Sequence, residues 1–337
     1  MSMFIEVEKP ATVTLPVTAQ NVVIVNNTLP QPVGYGLSAP SEKNQGKDST
    51  HIQKLNAENY LKRLNTASWR VATEAFKYLD DSKFFSDVSL YKKALREDDE
   101  WLSVIPVRKE LREDFFENEN YDLLISIDRI LFKSNLESDK VELGRMEALL
   151  TFSAYLRDKD NPIVHQSIRD TVKAYYSDIY FENGIPWISS VELNSEMIFQ
   201  SSANLGEKLG AFFAPNWESA ERIYFIKNPV DAAQKTGYIN KGKWAEAQFT
   251  WIDEFESAKK VADKAKAATN VALACEMNDE FTVAKEWAEK AKTFFQDASS
   301  KKYAKEINYL NEYIKVLQER ERNNAKLNEQ YGISEKR

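Results

Sequence analysis

Cysteine and histidine are nearly absent from this chain of 337 residues, which has one cysteine, Cys275, and two histidines, His51 and His165. Because a structural zinc site needs about four such ligands close together, these residues are too few to build one. A single cysteine also excludes a disulfide bond within the chain. We therefore expect no metal ion.

Glycine and proline are also scarce, at 10 residues each, whereas charged residues make up 29% of the chain. This composition favours helices over an all-β chain punctuated by glycine. An apolar content of 43% excludes wholesale disorder, and the length suffices for two domains. The expected class is helix-rich with some sheet.

The chain also has no surplus of basic residues. Residues 1–226 contain 25 Lys and Arg against 34 Asp and Glu, and residues 227–337 contain 20 against 18. Neither part offers the one-sided basic surface that nucleic-acid binding usually requires. We therefore expect no nucleic-acid partner.

No apolar run approaches the roughly 20 residues needed to span a bilayer. The first seven residues lack the basic start and apolar core of a signal peptide. Either the protein is cytoplasmic, or the sequence is a mature form from which an export segment has been removed.

The first part of the chain has the pattern of a mixed sheet domain. Residues 21–26 form a continuous apolar run, which is typical of a strand buried on both faces. The other predicted strands are 3–15 in two pieces around Pro10, 84–90, 122–132, 146–156, 163–168, 172–181 and 221–226, with helices at 59–79, 105–116 and 190–213. The sequence thus predicts a mixed α/β sheet domain over residues 1–226.

Residues 28–56 contain three glycines and three prolines, which predicts a long mobile loop. Gly34 and Gly36 could suggest a phosphate-binding loop. The third glycine, the Lys-Ser/Thr pair and the helix start that such a loop requires are all missing. We therefore expect no cofactor.

From residue 227 onward only a helical period remains. Aligning Trp244 with Phe281, and Ala247 with Ala284, gives a repeat of 37 residues, close to the 34 of a tetratricopeptide repeat. Residues 301–328 read as a long amphipathic helix that caps the helical hairpins. The predicted fold is therefore α+β, with a C-terminal all-α, tetratricopeptide-like domain at residues 227–337.

No pattern identifies a catalytic centre. Neither histidine lies in a GxSxG-like context, and Cys275 lies on the small-residue side of a predicted helix, where a free cysteine acts as a small hydrophobe. Acids are plentiful at 80–81, 98–100, Asp122 and Asp128, but acidic clusters near helix ends and loops mostly lie on the surface. We expect a protein that is not an enzyme and has no catalytic residue.

The helical domain offers a candidate surface for a protein or peptide partner. The tetratricopeptide spacing places eight candidate residues in a concave groove: Thr236, Ile239, Asn240, Lys266, Thr269, Leu273, Glu276 and Met277. A rigid groove of mixed apolar and charged groups suits a peptide. Alternatively, the hairpins only support the sheet domain, with the groove filled by the last helix.

Five segments carry a resemblance to a known family: EVEKPATVTLP, VVIVNNT, YDLLISIDRI, WESAERIYF and NVALACEMNDEFTVAKEWAEKA. They make the chain similar to an uncharacterised family of Bacteroidetes lipoproteins with a tetratricopeptide-like C-terminal region. The resemblance implies export, a lipid on an N-terminal cysteine, and a periplasmic or cell-surface position on the outer membrane. No lipid-bearing cysteine is visible in this sequence.

Three functions follow as hypotheses. The first is a non-enzymatic cell-envelope lipoprotein that acts as a protein-binding or scaffold module. The second is a glycan-binding outer-membrane lipoprotein, for which Tyr35, Trp187 and Trp217 could stack on sugars. The third is a hydrolase that uses carboxylates the sequence does not identify.

Overall fold

The computed structural model describes residues 1–32, 35–37, 49–135, 142–175, 181–182, 185–186, 190–227 and 229–333. Their strands are β1 (Ser2–Lys9), β2 (Asn21–Asn26), β3 (Asp87–Tyr91), β4 (Leu123–Asn135), β5 (Glu142–Leu156), β6 (Val164–Tyr175), β7 (Phe181–Glu182), β8 (Ile185–Pro186) and β9 (Asn216–Ile223). Their helices are α1 (Ser49–Ser82), α2 (Lys109–Glu119), α3 (Ser190–Phe213), α4 (Pro229–Asn240), α5 (Trp244–Ser257), α6 (Val261–Met277), α7 (Phe281–Ser299) and α8 (Ala304–Gln330). The fold is α+β, as predicted.

Contacts within the chain define two compact units. The sheet unit is Ala11–Pro215, and the helical unit combines Met1–Pro10 with Asn216–Arg337. The sequence places a boundary at 226/227, where the helical period begins. The contacts group β1 and β9 with the helices instead, because these two strands pair with each other.

The sheet unit contains a five-stranded sheet in the order β3-β2-β4-β5-β6. β2 pairs in parallel with β3 and β4, and β4, β5 and β6 form an antiparallel meander. Residues 22–25 of β2 are fully buried, as expected for a central strand. The predicted strands 163–168 and 172–181 meet in β6, because Arg169 and Asp170 continue the pairing with β5. β6 is described as far as Tyr175, and residues 176–180 of the second prediction lie outside the described residues.

Helices cover both faces of this sheet. α1 and α3 share a buried core with one face, which includes Ile24 and Ile125, while α2 packs through Phe115 and Phe116 on the face of Leu124. The connection through α1 runs from β2 to β3, and the connection through α2 runs from β3 back across to β4 on the other side of β2. Right-handed crossovers in opposite directions put these helices on opposite faces. The carboxyl end of β2, beside the middle of β4, is therefore a topological switch point.

Several boundaries differ from the predictions, and β9 spans Asn216–Ile223 instead of 221–226. α1 begins at Ser49, so His51 lies in a helix that occupies the end of the predicted loop 28–56. α2 begins at Lys109 rather than at 105, because the Val107 N–H donates to Tyr155 Oη before the helix starts. Residues 11–15 form no strand. Gly34, residues 38–48 and Trp187 lie outside the described residues.

The helical unit contains the 37-residue repeat as two matching turns. Between α4 and α5, Gly242 has a φ of 63°, and between α6 and α7, Asp279 has a φ of 60°. The N–H groups at 241 and 243 donate to the carbonyl of Tyr238, just as those at 278 and 280 donate to the carbonyl of Cys275. Each pair of equivalent residues is 37 positions apart.

α6 is the central helix of this unit. It packs against α5 and α7, and α8 packs against α7. The core fills with small residues of α6 and α7 and with large ones such as Trp251, Phe295 and Leu317. Among the described helices, none combines the length and apolar character needed to cross a membrane.

Candidate functional site

A cavity of about 230 Å³ opens at the carboxyl end of β2, beside the β-bulge in the middle of β4. Asn27 directly follows β2, Asp128 lies in β4, and both line the cavity. The other lining residues belong to the β3–α2 connection and the start of α2: Leu95, Arg96, Glu97, Asp98, Ile105, Pro106, Val107, Arg108 and Leu111. Ligands of open α/β sheets bind at such a switch point.

The β3–α2 connection is folded around the buried side chain of Arg96. Its Nε donates to Asp98 Oδ2 at 3.0 Å, and its Nη2 donates to the carbonyl of Ser103 at 3.0 Å. The loop is joined to the sheet by the Leu95 N–H, which donates to Asn27 Oδ1 at 2.6 Å. These bonds fix one wall of the cavity before any ligand binds.

A chain of polar side chains crosses the sheet beneath the cavity. Asn27 Nδ2 donates to Ser126 Oγ at 2.8 Å, and Ser126 Oγ donates to Asp128 Oδ1 at 2.5 Å. Ser153 Oγ donates to Asp128 Oδ2 at 2.6 Å and lies 2.9 Å from His165 Nδ1. Ser126, Ser153 and His165 are direct neighbours in the strand register. Asp128 occupies a β-bulge, a feature that re-aims a side chain.

Asp128 has an unusual carboxyl group. It is 4% exposed and, among the described residues, forms no ion pair with a lysine or arginine. Burial raises its pKa to about 6, although hydrogen bonds from Ser126 and Ser153 and the charges of His165 and Arg96 act in the opposite direction. A perturbed carboxyl group that lines a cavity is a candidate recognition or catalytic group.

The order of the polar chain differs from that of a nucleophilic triad. In such a triad the histidine lies between the serine and the acid and takes the serine's proton. Here Ser153 lies between Asp128 and His165, and it is 1% exposed. This arrangement does not present Ser153 as a nucleophile.

Other acids named from the sequence have structural partners. Asp122 Oδ2 accepts the N–H groups of Gln20 and Asn21, which fixes the start of β2. Asp98 is held by Arg96, whose hydrogen bond lowers the pKa of that carboxyl group. Within the described residues, no group of three His, Cys, Asp or Glu side chains is arranged to hold a metal ion.

The predicted groove of the helical unit is largely closed on α6. Thr269 and Leu273 are each 1% exposed, and Glu276 is 0% exposed, so these three do not line an open surface. Asn270, on the same side of α6, bonds both the N–H and the carbonyl of Phe225, which follows β9. Three of the α6 residues that were predicted to bind a partner are therefore buried.

The other five predicted groove residues differ in their exposure to solvent. Asn240 is exposed, and Thr236, Ile239 and Met277 are half-buried. Lys266 lines a second cavity of about 330 Å³, together with residues that include Lys235, Glu254, Asp263 and Asn270. The structure therefore does not bring the eight residues together on one accessible surface.

Glu276 is the centre of a buried ionic network. Arg222 and Arg320 donate to its Oε1 at 2.8 and 2.7 Å, and Tyr313 Oη donates to its Oε2 at 2.7 Å. Burial alone would raise the pKa of Glu276, but the hydrogen bonds and charge of Arg222 and the other partners outweigh it and lower that pKa. The network joins β9 to α6 and α8. Its role is structural.

Cys275 is fully buried in the core of the helical unit. Burial raises its pKa to about 12, so the thiol does not ionise at neutral pH. The residue packs as a small hydrophobic side chain, as the sequence indicates.

An exposed face of the β1–β9 pair combines aromatic and acidic residues. Phe4 lies opposite Glu221, Glu6 opposite Ser219, and Glu8 opposite Trp217. Phe4 is 71% exposed and Trp217 is 66% exposed. The alternate residues of β1, Ile5 and Val7, are buried. We call these six outward-facing residues, 4, 6, 8, 217, 219 and 221, the acidic–aromatic face.

Sequence reasoning missed the cavity and the acidic–aromatic face, although it named Asp128 as one acid among several and Trp217 as an aromatic residue that could stack on sugars. Asn27 could have been found, because it is polar and directly follows a strongly predicted strand. Phe4 could also have been noticed, since it occupies the polar side of an alternating strand. The pairing of β1 with β9 has no local signal, because the two strands are separated by about 200 residues.

Two family models match the chain. Residues 19–225 match the model described as Domain of unknown function (DUF8603), and residues 232–319 match Domain of unknown function (DUF6340). None of the curated proteins matches the chain. The first match covers more than half of the sequence. The two matches meet close to residue 226, where the helical period begins.

Proposed function

The chain belongs to the family of the domain of unknown function DUF8603, and from this premise we propose that it is a non-enzymatic protein-binding module of the cell envelope. The observation that carries the proposal is the acidic–aromatic face. Phenylalanine and tryptophan are enriched in the cores of protein interfaces, whereas outward residues of a half-buried antiparallel pair are normally polar. Phe4 and Trp217 are both exposed on this face.

The charge of the face defines its partner. Glu6, Glu8 and Glu221 are its charged residues, and it carries no lysine or arginine. Phe4 and Trp217 lie four residue pairs apart, which corresponds to about 13 Å along the strands. The complementary partner is a protein segment with basic residues between two apolar ones.

Site-specific photocrosslinking in the native host tests this surface. A photoreactive phenylalanine analogue replaces Phe4 or Trp217, and the matched control replaces Phe249, which is 72% exposed on α5. We expect one and the same protein to be crosslinked from positions 4 and 217 but not from 249. Glu6→Gln with Glu221→Gln should weaken that adduct, because the complementary charge is removed.

The opposite pattern rejects the proposal. If positions 4 and 217 give no adduct above that of position 249, the face is not a protein-binding surface. Equal adducts in the charge-neutralised variant would reject the basic nature of the partner.

Glycan binding is the second candidate, and the exposed indole of Trp217 beside carboxylates favours it. Aromatic rings stack on sugars, and carboxylates accept hydroxyl hydrogens. Oligosaccharides should then quench tryptophan fluorescence. Quenching that is lost in Trp217→Phe, but retained when Phe249 is replaced, would favour this function over the first.

A hydrolase is the third candidate. Asp98 and Asp128 line the same cavity, but Arg96 binds Asp98, and two serine hydroxyls occupy the oxygens of Asp128. A hydrolytic rate that disappears in Asp128→Asn would support it.

We also propose that the helical unit is tetratricopeptide-like and that the protein is a lipoprotein of the outer membrane. The identical turns at Gly242 and Asp279 support a tetratricopeptide-like helical unit. The resemblance of five sequence segments supports a Bacteroidetes lipoprotein on the periplasmic or cell-surface side of the outer membrane. Fatty-acid labelling and envelope fractionation of the gene product test that location, and recovery without lipid in the cytoplasm would contradict it.

A further inference from the structure

The cavity at the switch point of the sheet unit has two ends of opposite electrical character. Asp128 lines it as a carboxyl group without a basic partner among the described residues. Val107, Arg108 and Leu111 line it at the start of α2. A helix N-terminus presents unpaired N–H groups and about half a positive charge.

The other charges of the cavity largely cancel. Arg96 pairs with Asp98, and Arg108 pairs with Glu97 at 2.6 Å. Two features lack a counter-charge among the described residues. They are the carboxyl group of Asp128, whose oxygens each accept one serine hydroxyl, and the N-terminal end of α2. A ligand that neutralises both must carry a positive and a negative group.

The start of α2 lacks a protein cap. Its N-cap residue, Arg108, makes no side-chain cap hydrogen bond. Among the described residues, the backbone N–H groups of Lys109, Glu110 and Leu111 donate to no acceptor, whereas that of Arg112 donates to the carbonyl of Arg108. Carboxylates are bound at helix starts of this kind. The half-exposed pair of Arg108 and Glu97 can also open, since such surface pairs are weak.

From these features we propose that the cavity binds a small zwitterion of the amino-acid type, with its ammonium group on Asp128 and its carboxylate on the N-terminus of α2. Leu95, Ile105 and Leu111 supply apolar surface for a short carbon chain between the charges. A volume of about 230 Å³ admits only a small molecule. This inference concerns the sheet unit and does not depend on the acidic–aromatic face.

Isothermal titration calorimetry of the full chain tests the proposal with defined probes. The probes are the ω-amino acids from glycine to 6-aminohexanoate, each compared with the amine and the carboxylate of equal chain length. We expect at least one zwitterion to bind ten-fold or more tightly than both of its singly charged analogues. Asp128→Asn should remove that preference, and Asp80→Asn, which changes an exposed carboxylate outside the cavity lining, should retain it.

Amide chemical shifts of the unaltered protein provide a check that needs no variant. We expect the bound zwitterion to shift the amides of Leu95, Val107 and Leu111. No zwitterion preferred over both analogues, an amine that binds equally well, or shifts confined to other residues would each overturn the proposal. Retained preference in a folded Asp128→Asn variant would overturn the role of Asp128.

Discussion

Arg222 and Glu276 are 54 residues apart in sequence and form a buried ion pair, with 2.8 Å between Nη2 and Oε1. Arg222 lies on β9 and Glu276 on α6. Neither residue has an obvious partner in the sequence, yet the pair connects the short sheet of the helical unit to its central helix. It explains why β9 groups with the helices and why the predicted groove is closed at Glu276.

Glu276→Ala should destabilise the protein by about 3–5 kcal/mol, because it leaves Arg222 buried without its counter-charge. Urea denaturation measures the free energy of unfolding. The matched control is Glu312→Ala, which removes an exposed pair with Lys315 and should have little effect. Equal small losses in both variants would show that the buried pair does not hold the unit together.

The same carboxylate should make stability depend on pH in the acid range. Its pKa is lowered in the folded state, so its contribution is present above the unfolded value of about 4.3 and is lost as pH falls through the lower folded value. The stability difference between the parent and Glu276→Gln should therefore shrink on acidification below about pH 4. A difference that stays constant from pH 7 to pH 2 would contradict this.

Leu273 offers a direct comparison with Asn240, since both were predicted to face the same groove. Leu273 is 1% exposed and Asn240 is exposed. Leu273→Ala should cost about 2–5 kcal/mol through loss of packing, whereas Asn240→Ala should change stability by less than about 0.5 kcal/mol. Thermal unfolding of the two variants checks this. A Leu273→Ala protein as stable as the parent would contradict the burial of Leu273 and would support the prediction of an open groove.

The sequence predicts those parts of the fold that have a local signal. Residues 22–25 are buried on both faces of the sheet, and a continuous apolar run indicates this directly. α3 has the predicted bounds, Ser190–Phe213, because its apolar period ends before Pro215. The repeat is visible in Trp244 and Phe281, which begin α5 and α7.

Long-range pairing limits the prediction of the remaining features. The partner of β1 is separated from it by most of the chain, so neither the two-stranded sheet nor its acidic–aromatic face follows from local pattern. The helical spacing of Leu273 fits an exposed groove as well as a buried core, and only its 1% exposure in the folded chain decides between these alternatives. In the sequence, Asp128 is one acid among many. Only the β-bulge and the cavity, which depend on the folded chain, distinguish it from the others.

Asp128 should give the protein a pH dependence opposite to that of Glu276. Its pKa is raised to about 6, so the folded state holds this proton more tightly than the unfolded state, whose value is about 3.9. Stability should therefore fall as pH rises from about 4 to about 6 and stay low above it. The total change from this group is about 3 kcal/mol, from about two pKa units at 1.4 kcal/mol each.

Asp128→Asn tests that dependence, because the amide keeps the shape of the side chain and cannot ionise. Urea denaturation at intervals from pH 4 to pH 8 should show that the fall in stability between pH 4 and pH 6 is smaller in Asp128→Asn. The charged and titratable groups around Asp128 are His165, Arg96 and Tyr155. His165 is the neighbour that is joined to Asp128 through Ser153. His165→Gln is therefore the control and should retain the fall, whereas a fall lost only in that variant would assign the dependence to the histidine.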